Sequence, residues 1–384
     1  MSQRRRLRKG PSNSLTAKKG VNMWPDNRVF DLFGVELPIV QAPMAGAVLS
    51  EMVVAVSEAG GLGSLPCALL NFEQARGELE VIRQRTSRPI NVNFFCHQQP
   101  PGDPAREIRW RRRLDAYYVE LGLESNGAAP DSNRAPFDDK MCDLVAEFHP
   151  EVVSFHFGLP DKNLLARVRR AGAKIISSAT TVEEARWLED QGCDAIIAQG
   201  FEAGGHSGMF LNRDVSTQIG TMALVPQVVD AVMVPVIAAG GIADARGIVA
   251  AFALGAAAVQ IGTAYLLCPE SKITSIHRQA LRKSKDNQTV VTNVFTGRPA
   301  RGIVNRLIRE VGPMSDDAPE FPLAAATLLP LRSKSETAGS TDFTPLWSGQ
   351  AAPLSRELPA GQLTKQLAEE AREKLRSIRI WSVG

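Results

Sequence analysis

The stretch Gln199-Gly200-Phe201-Glu202-Ala203-Gly204-Gly205-His206 joins two features that chemistry can use. A glycine pair carries no Cβ to keep a ligand away from the main chain. A histidine next to it can exchange a proton near neutral pH. The stretch follows Asp194-Ala195-Ile196-Ile197-Ala198, an apolar run that reads as a buried strand. A second histidine, His156, ends a similar run and sits between Phe155 and Phe157, so alternation points it away from both. The chain has only five histidines, and two at strand ends favour function over a structural role.

Two further glycine turns suggest what sits beside them. Ala239-Gly240-Gly241-Ile242-Ala243-Asp244 reads as a strand, a tight turn and a helix start, and Gln260-Ile261-Gly262-Thr263 as a second turn. Main-chain N–H groups and a helix N-terminus at such turns hold a phosphate. The amides Asn93 and Gln199 suit the polar edge of a flavin ring, and Ala42-Pro43-Met44 offers rigid backbone and a soft side chain to a flat ring. One phosphate and one large planar ring describe FMN. His156, Glu202 and His206 could instead form a two-histidine, one-carboxylate metal triad, but nothing requires Glu202 to face inward, and no metal is expected. Cys96-His97 reads as an ordinary loop pair. The strand ends lack paired carboxylates and lysine, which argues against glycosidase and Schiff-base chemistry.

Eight β-like runs position these residues: 38–44, 62–65, 89–95, 152–158, 174–179, 195–199, 234–239 and 257–262, with helical patterns between them. Ser50 is expected to cap the first helix of the series, and Thr180 or Thr181 the helix after the fifth strand. Alternating strands and helices imply right-handed βα units, and eight strands close a TIM barrel with its chemistry at the strand C-termini. A doubly wound sheet is the alternative, but no G-x-G-x-x-G follows the first strand. The expected organisation is a basic, disordered extension over 1–27 and a barrel over 28–264 with an insertion at 100–136. A smaller lid-like unit follows over 265–345, and residues 346–384 include a helix from Gln362 to about Ile378 that returns to the barrel wall.

Composition narrows the class. The formal charge is +3, but residues 1–20 carry seven basic residues and no acid. Without those seven, 37 basic residues face 41 acidic ones, so no nucleic-acid surface is indicated. No apolar run is long enough to span a bilayer. Five scattered cysteines without a C-x-x-C fit reduced thiols in the cytoplasm.

The chain resembles the class I nitronate monooxygenases, long called 2-nitropropane dioxygenases. The likeness is carried by Gln41-Ala42-Pro43-Met44-Ala45-Gly46, Ser154-Phe155-His156-Phe157-Gly158, Ala198 to His206, Ala239 to Gly247 with Val259 to Thr263, and Trp347-Ser348-Gly349-Gln350-Ala351-Ala352. The resemblance implies an FMN-dependent, metal-free barrel that oxidises alkyl nitronates with O2 to a carbonyl compound and nitrite, consuming no NAD(P)H. It implies propionate 3-nitronate as substrate and detoxification as purpose, with a homodimer left open. It places Ala42, Pro43, Met44, Asn93, Gln199, Gly204, Gly205, Gly240, Gly241, Gln260, Ile261, Gly262 and Thr263 around FMN, His206 as catalytic base, and His156 in the substrate pocket. The alternative is an FMN-dependent NAD(P)H:quinone or enoyl-thioester reductase on the same kind of barrel. The basic residues 1–27 and the insertion at 100–136 depart from the family pattern.

Overall fold

The computed structural model describes residues 24–124 and 134–381, with side chains to 378. Eight parallel strands form the central ring: β1 (Ile39–Gln41), β2 (Gly63–Pro66), β3 (Ile90–Phe95), β4 (Val152–His156), β5 (Lys174–Ala179), β6 (Ala195–Gln199), β8 (Val236–Ala239) and β9 (Ala258–Ile261). β7 (Gly205–His206) interrupts the series between β6 and β8. The ring order is β1-β9-β8-β6-β5-β4-β3-β2. It closes where the Leu62 N–H donates to the Ile39 carbonyl and the Gln41 N–H to the Leu62 carbonyl, both at 2.9 Å. The fold is a TIM barrel, as the eight apolar runs imply.

Alternation divides the strand residues between two cores. Val40, Val152, Ile176, Ile197 and Ile237 point into the barrel. Val29 and Phe33, from the short helix Arg28–Phe33, join them against the strand beginnings. Ile39, Val92, Val153, Ile175 and Val259 point outward, under the helices. The helix after β9 does not come at once. Its place is filled by the last helix, Ala360–Trp381, which packs between helices Ser50–Glu58 and Ala245–Ala253. Its Leu363, Leu367 and Ala371 are fully buried, so the last helix completes the wall it was expected to rejoin.

Between β9 and that helix lies a second structural layer. β10 (Thr289–Thr292) and β11 (Ala300–Ile303) pair antiparallel, and β7 adds to β11 with His206 opposite Ala300. The loop after β6 is therefore also a strand of the post-barrel sheet. Trp110, Leu114 and Tyr117, from the insertion helix Pro104–Glu120, share one apolar core with Phe295, Leu307, Leu328 and Phe343. The insertion thus belongs to the same layer as the post-barrel unit; its residues 125–133 lie outside the described residues.

Three local expectations change. Residues 24–27 are not part of the extension: Trp24 is 3% exposed and stacks on Phe252 at 5.4 Å, while 1–23 lie outside the described residues. Ser50 is not a cap but the first helical residue, and its N–H donates to the Glu78 carboxylate at 2.8 Å. Thr181, rather than Thr180, caps its helix by accepting from the Glu184 N–H. Leu367→Ala removes a fully buried side chain from the closing helix. It is expected to lower unfolding stability by about 2–5 kcal/mol, read from the denaturant midpoint.

Candidate active site

A cavity of about 380 Å³ opens at the strand C-termini. Ala42, Pro43, Met44, Asn93, His156, Gln199, Gly204, Gly205, His206, Gly240, Gly241, Gln260, Gly262 and Thr263 all line it. Ile261 does not. Its side chain is buried in the wall core, and its carbonyl accepts from the Ala42 N–H at 2.8 Å. Within the turn Gln260 to Thr263, alternation sends Ile261 outward and its neighbours inward.

The turns after β8 and β9 form one end of the cavity. Gly240 (φ 107°) and Gly241 (φ 71°) adopt left-handed backbone that a side chain would strain. The Gly241 and Thr263 N–H groups have no acceptor among the described residues. The Thr263 hydroxyl is committed, since it accepts from the Gly349 N–H at 2.9 Å. Gln260 Oε1 is buried without a partner. Such an acceptor costs about 1–3 kcal/mol unless a ligand supplies a donor. Free amides at a glycine turn and an orphaned amide oxygen beside them fit a ligand with one phosphate and a ring edge bearing an N–H.

The two other amides expected at a ring edge are more engaged. Asn93 Nδ2 donates to Ser154 Oγ at 2.9 Å, and its Oδ1 has no protein donor. Gln199 Nε2 donates to the His206 carbonyl at 3.1 Å, and its Oε1 accepts from the Gly208 N–H at 2.6 Å. Both polar atoms of Gln199 are bonded to the loop after β6, so it positions that loop from the cavity wall.

His156 serves the same loop. Its Nε2 donates to the His206 carbonyl at 3.2 Å, which leaves Nδ1 to accept from the Ser178 hydroxyl at 3.1 Å. Burial, then the Arg298 charge, brings its pKa down to about 4. Both nitrogens are occupied by protein, so the expected substrate contact is available only from ring carbons.

His206 itself stands among aromatic rings. Ring centroids of Phe321 and Trp347 lie 5.4 Å away, and those of Phe157 and Phe95 about as near. Its Nε2 lies 3.0 Å from the Thr296 hydroxyl, which donates onward to the Arg298 carbonyl. That direction makes Nε2 the N–H and leaves the Nδ1 lone pair with no protein partner. Burial holds the His206 pKa well below the ordinary value, with Arg134, His156 and Arg298 adding to the shift. His206 is therefore a neutral imidazole, suited to accept a proton and unsuited to attract an anion.

Long-range folding supplies the residues that sequence reasoning missed. Phe157 has φ 71°, so it breaks the alternation and turns its ring beside His156, 4.5 Å between centroids. The Phe157-Gly158 pair was the available signal. Thr296, Phe321 and Arg134 come from the post-barrel unit or the insertion, and no local pattern marks them; Trp347 opens a segment that carries part of the family resemblance, but nothing local places it beside His206. Glu202 is no metal ligand: it accepts from the Thr221 N–H and hydroxyl at 2.8 Å and so caps the helix Thr221–Ala231. Cys96 packs against the wall core, where burial raises its thiol well above the ordinary value, and the His97 ring lies edge-on to Phe321, 4.8 Å between centroids.

Gly204, besides lining the cavity, has a packing role. A Cβ there would stand 2.4 Å from the Gly349 nitrogen and 2.6 Å from the Ser348 carbonyl carbon. Its missing side chain admits the strap Trp347 to Gln350, whose last N–H donates to the Glu202 carbonyl at 3.0 Å.

Comparison with known proteins agrees with this geometry. A family model described as nitronate monooxygenase matches residues 26–370. Nitronate monooxygenase of Pseudomonas aeruginosa is 40% identical over 348 residues, spanning 90% of this chain and 99% of its own. A nitroalkane oxidase structure from Streptomyces ansochromogenes superimposes with a TM-score of 0.83 at 40% identity, covering 91% of this chain and 99% of its own. FabK from Thermotoga maritima gives 0.71 at 30% identity, covering 92% and 98%.

The depressed pKa has a direct consequence. The His206 ring is expected to stay neutral from pH 6 to 9, with ring ¹⁵N shifts unchanged over that range. A protonation midpoint at or above 6.5 would overturn the reading.

Proposed function

Because the chain belongs to the nitronate monooxygenase family, a family of flavin-dependent oxidoreductases, we propose that it binds FMN and oxidises alkyl nitronates with O2 to a carbonyl compound and nitrite. The observation that carries this reading is His206, bonded through Nε2 to Thr296 and lining a cavity whose far turns offer free amides for a phosphate. The Gly241 and Thr263 amides would hold the phosphate, and Gln260, Asn93 and the Ala42–Met44 backbone the ring. FMN, when bound, supplies the electron acceptor that neither the aromatic rings nor the histidines provide.

The chain's own residues do the rest. His206 Nδ1 removes the α-proton of a neutral nitroalkane, while Thr296 keeps the opposite nitrogen protonated. A nitronate arrives already deprotonated and needs no such step. His156 and Gln199 hold the His206 carbonyl, and thus the ring, in place. Phe157, Phe321 and Trp347 exclude water from the imidazole. Propionate 3-nitronate is the substrate we propose, its oxidation a detoxification. We place the reaction in the cytoplasm on the strength of five free cysteines.

The likeness to FabK favours one rival, an NAD(P)H-dependent quinone or enoyl-thioester reductase. The two readings part in one aerobic assay. With propionate 3-nitronate and no NADH, the protein, yellow with FMN, is expected to release nitrite and consume O2. Rapid flavin reduction by NADH without nitrite release would favour the reductase. His206→Asn is expected to lower turnover of neutral nitroalkanes by roughly 10²–10⁴-fold and to spare nitronates. Equal losses on both would defeat the base assignment.

A further inference from the structure

Charge is distributed unevenly around the cavity. Arg134, Lys272 and Arg332 line it, and among the described residues no aspartate or glutamate does. Lys272 is paired with Glu51, and Arg332 with Glu336 at 2.7 Å. Arg134 has no carboxylate partner among the described residues. Its guanidinium carbon lies 6.0 Å from the Phe321 ring centroid, on the same phenyl that contacts the His206 ring.

The position of Arg134 separates it from the phosphate turns. Its segment is tied to the end of β3, where the Phe137 N–H donates to the Phe95 carbonyl at 2.8 Å. In the ring order, β3 stands diametrically opposite β8, whose turn carries Gly240 and Gly241. A phosphate held after β8 and β9 would thus leave the Arg134 side of the mouth open. A half-buried guanidinium that lines a cavity has lost part of its hydration, and an anionic ligand there would replace it.

We infer that Arg134 is a specificity-determining residue that binds a second anionic group of the substrate, a carboxylate on the alkyl chain of the nitronate. The inference rests on the nitronate reading above. A guanidinium presents a planar fork of donors that matches a carboxylate. Such a contact would orient the chain with its far end on Arg134 and its nitronate carbon between His206 and the ring site.

The test compares propionate 3-nitronate with propyl-1-nitronate, which has an uncharged tail, in flavin-loaded wild type, Arg134→Met and Arg134→Lys. Arg134→Met is expected to raise KM for propionate 3-nitronate roughly 10- to 100-fold and that for propyl-1-nitronate, which feels the charge only at a distance, by much less. Arg134→Lys should recover part of the loss, because it keeps the charge without the fork. Equal effects on both substrates, or none on either, would overturn the inference. Calorimetric titration with 3-nitropropanoate and 1-nitropropane supplies a readout independent of turnover. If wild type releases no nitrite from either nitronate, the functional reading fails. The carboxylate site still stands if 3-nitropropanoate binds to wild type and Arg134→Lys but not to Arg134→Met, and falls if it binds all three alike or none.

Discussion

One carbonyl organises the site. The main-chain oxygen of His206 accepts from His156 at the end of β4 and from Gln199 at the end of β6. A typical hydrogen bond adds only about 1 kcal/mol net, but leaving a buried donor unpaired costs about 1–3 kcal/mol. Displacing this carbonyl would orphan both donors at once, so the loop has one favourable position. The same contacts fix the His156 tautomer, because a carbonyl can only accept. Glu184 extends the constraint along the chain by accepting from the N–H groups of Phe210 and Leu211 at 2.6 and 3.1 Å.

Holding the backbone does not by itself tune the ring. The enclosure of His206 is built by chain that follows the barrel: Thr296 on Nε2, Phe321 and Trp347 on its faces. β7 couples the two regions, because its two residues are at once the loop after β6 and the third strand of the post-barrel sheet. The strap at Ser348 and Gly349 adds a second coupling, through Thr263 after β9 and through the space left by Gly204. Without the post-barrel unit His206 would lose most of its enclosure, and with it the burial that is the largest cause of its lowered pKa.

What was legible in the sequence follows from the range of the interactions. Strands buried on both faces announce themselves as short apolar runs, and all eight barrel strands were readable. The site residues at their ends followed, because a barrel places its chemistry there. Ile261 failed because a turn was read as a unit although its side chains alternate. Gln199 and His156 were found, but their roles were not: nothing local says that both reach the same carbonyl. β7 is too short to leave a pattern, and β11 carries Arg301 and Gly302 at its centre. Arg301 is 3% exposed and donates to the Phe201 carbonyl at 2.9 Å, so a charge that hides the strand in the sequence ties it to the loop after β6 in the fold.

The electrostatics of the cavity resolve an apparent conflict. The anionic nitronates proposed as substrates call for positive charge, and the proposed general base calls for a neutral imidazole. A protonated histidine would meet the first need by abandoning the second. This chain divides the work. Arginines near the ring, Arg134 and Arg298, supply field for an anion and by the same repulsion keep a proton off His206. Arg298 is itself held over the Phe157 ring at 3.8 Å and by the Met209 carbonyl, so its charge acts at a distance rather than by contact. The strained backbone at Phe157 belongs to the same solution. A left-handed residue costs about 1–3 kcal/mol, and here it turns a phenyl ring between a cation and the base that the cation must influence without touching.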